Sequence, residues 1–138
     1  MFLGEYCHTI DEKGRLAIPV KLRKELGEGA VITRGTDRCL FVYPMTEWAK
    51  LAEKISALPL SDARARSFSR LMLAGAMEVE FDKQGRVLLP GYLKEYAGLA
   101  ENAVLAGVYN RIEIWESNAW EAYKAQHSID ENLSEFGV

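Results

Sequence analysis

Asp11 and Arg15 stand four residues apart, and so do Asp82 and Arg86. Each pair frames a short polar tip, Glu12-Lys13-Gly14 in the first case and Lys83-Gln84-Gly85 in the second. Residues of this kind support three sorts of chemistry. Two equivalently placed aspartates can form an acid/base dyad, in which one carboxyl stays protonated beside the other. An Asp–Arg pair can instead be a structural latch that squares a turn. An arginine on a tight turn can also present its planar donor fork to a phosphate or to the O6/N7 edge of guanine. The dyad is disfavoured, because an arginine four residues from each aspartate keeps the carboxylate ionised. Latch and binding device remain open, since spacing alone does not separate them.

Other chemistry is sparse. His8 falls between Tyr6 and Ile10 on the apolar side of an alternating run and reads as a packed histidine, while His127 has no partner signal. Cys7 and Cys39 lack metal-ligand spacing, and without an export signal they read as reduced thiols. There is no Gly-rich phosphate loop, no nucleophile elbow and no Cys–His pair. No enzyme activity, cofactor, metal or small-molecule substrate is expected.

The elements that must hold the two Asp–Arg turns come in duplicate. An offset of 71 residues superposes Asp11, Gly14, Arg15, Pro19, Leu22 and Gly27 on Asp82, Gly85, Arg86, Pro90, Leu93 and Gly98. After a two-residue insertion the register resumes, with Arg38 over Arg111, and each copy reaches a tryptophan, Trp48 or Trp120. Two copies at so long a period indicate a duplicated unit rather than a solenoid. Met77, Val79 and Phe81 alternate with Glu78 and Glu80 as in a half-buried strand, and Tyr6, His8 and Ile10 take the inward places in the first copy. Asp followed three residues later by Gly predicts a three-residue hairpin. A short strand follows (Leu16–Ile18 or Val87–Leu89), then a helix with Pro19 or Pro90 at its first position, ending near Gly27 or Gly98. Strands around Ala30–Thr33 and Leu40–Tyr43, and around Ala103–Gly107 and Ile112–Trp115, complete the units. The expected divisions are repeat 1 over 5–47, a helical connector over 48–75, repeat 2 over 76–119, and a C-terminal helix with an acidic tail over 120–138. In the connector one helix begins at Thr46 or Glu47, and Ser61 with Asp62 caps a second; Ser117 is the expected cap of the last helix. The tail from Ser128 is expected to be mobile, or a short helix at most.

The net charge of −3 argues mildly against a polyanionic partner, but it conceals a split. Residues 1–75 hold 12 Lys or Arg against 9 Asp or Glu, and residues 76–138 hold 5 against 11. Lys13, Arg15, Lys21, Arg23, Lys24, Arg34 and Arg38 are expected around the first turn and helix, although Lys21, Arg23 and Lys24 also read as a solvated helix face. No apolar run reaches the ~18–20 residues of a membrane span, and no secretory signal opens the chain, so a cytoplasmic place is expected.

The run Gly14-Arg15-Leu16-Ala17-Ile18-Pro19 after Asp11, echoed by Gly85-Arg86-Val87-Leu88-Leu89-Pro90 after Asp82, resembles the SpoVT/AbrB-like family. The resemblance covers nearly the whole chain except the tail. It implies an α+β, β-rich fold in which two swapped-hairpin halves form a pseudo-twofold small barrel with flanking helices, here within one chain. It also implies a sequence-specific transcriptional regulator, a repressor of its own division and cell-wall operon, bound as a ring-shaped homo-oligomer to repeated short elements of double-stranded DNA in the nucleoid. Carried onto this sequence, Arg15 and Arg86 become DNA contacts with Lys13 beside them, while Asp11, Gly14, Asp82 and Gly85 support the turns. Gln84 stands where the first copy has Lys13, which puts equal DNA affinity of the two copies in question. The alternative is a protein-binding assembly or antitoxin-like module built on the same barrel without DNA.

Overall fold

The structure, a computed structural model, describes residues 1–138. Its elements are β1 (Phe2–Thr9), β2 (Arg15–Ala17), α1 (Val20–Leu26), β3 (Gly29–Arg34), β4 (Leu40–Pro44), α2 (Met45–Ser56) and α3 (Ala63–Ser69). A π-helical turn (Arg70–Ala74) leads to β5 (Met77–Glu80), β6 (Arg86–Leu88), α4 (Gly91–Tyr96), β7 (Asn102–Tyr109), β8 (Ile112–Glu116) and α5 (Ser117–Gln126). No helix is long and apolar enough to cross a membrane.

Strand pairing shows how the halves combine. One antiparallel six-stranded sheet runs β1-β7-β8-β4-β3-β5, and β2 pairs only with β6. With β1/β5, β3/β7 and β4/β8 as equivalents, the order reads the same from either edge. Each leading strand has left its own repeat, since β1 lies on β7 of the second half and β5 on β3 of the first. The pseudo-twofold axis passes between β4 and β8 and through the β2–β6 ribbon. The molecule is therefore α+β and β-rich, with interleaved halves.

Both sheets enclose a single main core. Leu16 and Val87, opposite each other in the ribbon, are 0% and 2% exposed and meet Ile32, Leu40, Leu105 and Ile114 from the large sheet. Burying a side chain of this size contributes about 1.5–3 kcal/mol, so neither half retains this core alone. On the outer face a smaller cluster of Cys39, Phe41, Tyr43, Ile55, Met72 and Trp115 is covered by α2 and α5, with Trp115, Trp120 and Tyr123 packed together.

Several local readings shift. Pro19 and Pro90 precede the helices rather than begin them; each carbonyl accepts the first helical bond while ψ stays near 142° and 141°. Asp62 alone caps α3, donated to by the Arg64 amide, and α2 starts at Met45. Glu116, not Ser117, caps α5, because a longer carboxylate reaches the amides of both Asn118 and Ala119. His8 is half-buried at the sheet edge rather than packed in the core. Beyond α5 the tail consists of turns with every side chain exposed.

Candidate nucleic-acid interface

Each Asp–Arg turn closes on itself. The Asp11 carbonyl accepts the Gly14 amide at 2.9 Å and the Asp11 amide donates to the Arg15 carbonyl at 3.0 Å; Asp82, Gly85 and Arg86 repeat this at 3.0 and 2.9 Å. The glycines have φ of 82° and 76°, a left-handed conformation that strains any side-chain-bearing residue, which accounts for Gly at both positions. Asp11 Oδ1 takes the amides of Lys13 and Arg15 at 3.0 and 2.9 Å, and Asp82 Oδ1 takes those of Gln84 and Arg86, both at 2.9 Å. The second carboxylate oxygen holds the arginine Nε, at 2.7 Å in the first turn and 2.9 Å in the second.

The aspartates are therefore both latch and aiming device. Holding the guanidinium by Nε leaves both amino groups of Arg15, and Nη2 of Arg86, without a carboxylate partner, and a free pair of amino groups is the fork a planar acceptor needs. The backbone donors at Arg15 and Arg86, joined by the guanidinium bonds, hold both carboxyls below the usual aspartate range. A shared-proton dyad requires one carboxyl to be pushed up instead, so the geometry opposes acid/base use.

The ribbon brings the two turns together. In β2–β6, Arg15 lies opposite Leu88 and Ala17 opposite Arg86. Because Leu16 and Val87 point into the core, strand alternation sends both arginines outward. Arg86 Nη1 reaches 3.5 Å from Asp11 Oδ2, linking the two latches across the axis. Both arginines are partly exposed, and Lys13 sits exposed at its loop tip.

Interleaving adds two cations that the turn motif did not indicate. Arg23, on α1 of the first repeat, lies against Gly85 of the second turn, where a Cβ would collide with its Nη1. Its equivalent Lys94, on α4, lies over Gly14, with Nζ 3.3 Å from where a Cβ would stand. The backbones cross in the same sense: Ile18 donates to the Gly85 carbonyl at 3.1 Å and Leu89 to that of Gly14 at 2.9 Å. Arg23 and Lys94 are half-buried, whereas Lys21 and Lys24 are the exposed face of α1. The signal available beforehand was the matched basic character of positions 23 and 94 at the repeat offset. Arg34 and Arg38 do not join the turns; they lie over Tyr96, at 5.9 and 5.7 Å from its ring centre. No group of three or more His, Cys, Asp or Glu is placed to hold a metal ion, and burial pushes the Cys39 thiol far up, away from a reactive thiolate.

Comparison with known proteins agrees with this doubled architecture. A family model described as "MraZ protein, putative antitoxin-like" matches twice, over residues 1–71 and 72–135. A protein of Lactobacillus delbrueckii subsp. bulgaricus named "Transcriptional regulator MraZ" is 54% identical over 133 residues, covering 95% of this chain and 93% of its own. Proteins with the same name from Natranaerobius thermophilus and Desulfitobacterium hafniense are 52% and 54% identical, covering 98% and 100% of this chain and 95% and 100% of their own. With both halves matched and identity running from end to end, the chain belongs to the MraZ family.

Proposed function

We propose that this chain is a transcriptional regulator that binds double-stranded DNA through the face carrying the two Asp-x-x-x-Arg turns. The name shared by its relatives supports regulation of transcription. The observation that carries the DNA reading is the paired presentation of Arg15 and Arg86, each held by Nε to its own aspartate and turned outward beside the other. Lys13, Arg23 and Lys94 supply further cations on the same face, suited to phosphate.

One chain offers few base contacts, and each good bidentate contact gives only about 1–3 kcal/mol of discrimination. A ring of copies, each meeting one of a series of short DNA repeats, multiplies this through effective concentration when the spacing matches. Such avidity lets a chain of net charge −3 bind a polyanion. The natural target is the control region of its own operon, among division and cell-wall genes, where a bound ring represses transcription. A regulatory DNA partner places the protein at the nucleoid.

The test is a gel shift with DNA from upstream of the encoding gene. Wild-type protein is expected to retard that fragment over competitor, with affinity falling steeply as salt rises. The Arg15→Ala/Arg86→Ala protein should lose specific retardation while keeping its oligomeric mass. Equal retardation by the double variant overturns the assignment.

A further inference from the structure

The outer face carries an apolar groove of about 630 Å³ that shares no lining residue with the turns. Leu51 of α2, Phe68 of α3, Leu71 of the π-helical turn and Tyr96 of α4 line it, and Arg34 and Arg38 stand at its edge. Phe68 and Leu71 remain 46% and 54% exposed, so the groove is uncovered. Its shape is set by the π-helical turn. There the Leu71 and Met72 carbonyls accept Arg34 Nη1 at 2.9 Å and Thr33 Oγ1 at 2.7 Å, fixing Leu71 at the rim.

The charge at this edge is unbalanced. Arg111, the counterpart of Arg38 in the second half, is paired with Glu113 at 2.9 Å. Arg34 and Arg38 make no ion pair with any carboxylate; Asp37, the one acidic neighbour in the β3–β4 turn, makes none either. The groove thus offers apolar walls beneath two uncompensated cations.

The same chain carries the complementary piece. Ile129, Leu133 and Phe136 recur at i, i+4 and i+7, the spacing of one apolar helical stripe, and are 81%, 46% and 72% exposed. Between them lie Asp130, Glu131 and Glu135 with no Lys or Arg, and the hydrogen bonds of this segment are local to it. Apolar stripe meets apolar wall, and acidic flank meets arginine edge. The tail leaves α5, which is fastened to the β1–β7–β8 half by Trp120 and Lys124 donating to Glu5, whereas the groove belongs to the β3–β4 half.

We propose that the acidic tail of one copy, residues 128–138, folds into this groove of the next copy. Donor and acceptor surfaces differ, so the contact is head-to-tail, the kind that closes into a ring when the rotation permits. The inference rests on the oligomeric reading under Proposed function and names the contact that would build it.

Sedimentation of the full chain tests both and tells them apart. Leu71→Asp disables the groove, and Leu133→Asp/Phe136→Asp disables the tail; all three positions are exposed, and unchanged circular dichroism and melting temperature check the fold. Wild type should sediment as many copies and either variant as a single chain. An equimolar mixture of the two variants should give a two-chain species and nothing larger, because only one good tail and one good groove remain. If the groove variant or the tail variant keeps the wild-type mass, or the mixture stays as single chains, the tail contact is overturned while the ring reading stands. If wild type itself sediments as one chain, both are overturned.

Discussion

In the first turn Arg15 gives only its Nε to Asp11 and keeps both amino groups for a ligand, whereas in the second Arg86 gives Nε to Asp82 and turns Nη1 toward Asp11 as well. The surroundings differ in the opposite sense. At the first turn Lys13, Arg15, Asp11, Glu12 and Glu101 line one concavity, and the crossing Lys94 lies over Gly14. At the second turn Lys83, Arg86 and the crossing Arg23 stand with Asp82, and Arg86 also shares Asp11 across the axis. The first turn thus has the freer fork and the second the stronger local positive charge. Along the chain the basic residues favour the first half; in space, interleaving hands its Arg23 to the second. A duplicated site is therefore compared by what surrounds each copy in space, and the two turns are suited to different tasks. Under the proposed DNA reading, the first suits a base edge and the second suits phosphate.

Exchanging the arginines for lysine gives the largest expected contrast. Arg15→Lys removes a bidentate fork and should cut discrimination between operator and competitor DNA by about 1–3 kcal/mol per base read, roughly five- to 150-fold. Arg86→Lys should lower affinity for both DNAs with a smaller change in their ratio. Competition binding by fluorescence anisotropy measures the two ratios, and equal losses would erase the distinction between reader and grip.

Removing the crossing cations comes next. Every phosphate that a cation no longer neutralises reduces the slope of log K against log salt by about 0.9, so Arg23→Ala should flatten the salt dependence with sequence preference intact. Lys94→Ala should flatten it less, because the turn it crosses carries Glu12 where the other carries Lys83. Binding titrations at several salt concentrations check the order.

The smallest effect concerns stability. Asp11 and Asp82 have folded-state pKa values below the ordinary 3.8, so the stabilisation they contribute is fully present above that pH and is lost as pH falls through the lower folded values. Thermal melts should hold steady down to about pH 4 and then decline. Asp11→Asn should reduce that decline more than Asp82→Asn, since Asp11 also faces Arg86.

Much of this was legible in the chain. The alternation of Met77 to Phe81, the Asp-to-Gly hairpins and the doubled register each anticipate an observed element. Less legible were the Glu116 cap, where Ser117 was the better local candidate, and the destination of Arg34 and Arg38. Tyr96 takes both, and it lies some sixty residues away on the other repeat; its hydroxyl donates to the Gly35 carbonyl at 2.6 Å. The groove was equally hidden, because a π-helical turn follows from packing against β3 rather than from any residue pattern in Arg70–Ala74.

The amino-acid order by itself determined the two turns, because Asp, Gly and Arg at fixed offsets satisfy one another's backbone donors within five residues. It did not determine which repeat each turn would meet. Val79 and Tyr6 present the same alternation to either half, so pairing within a repeat and pairing across repeats look identical locally. Only the tertiary structure chose the crossed arrangement, in which β1 adds to β7, β5 adds to β3, and Leu16 and Val87 seal one shared core. That choice placed Arg23 and Lys94 on the opposite turns. The physical reason is that neither half has enough apolar surface of its own to bury, so the halves interleave, and the charged face follows from the way the core is closed.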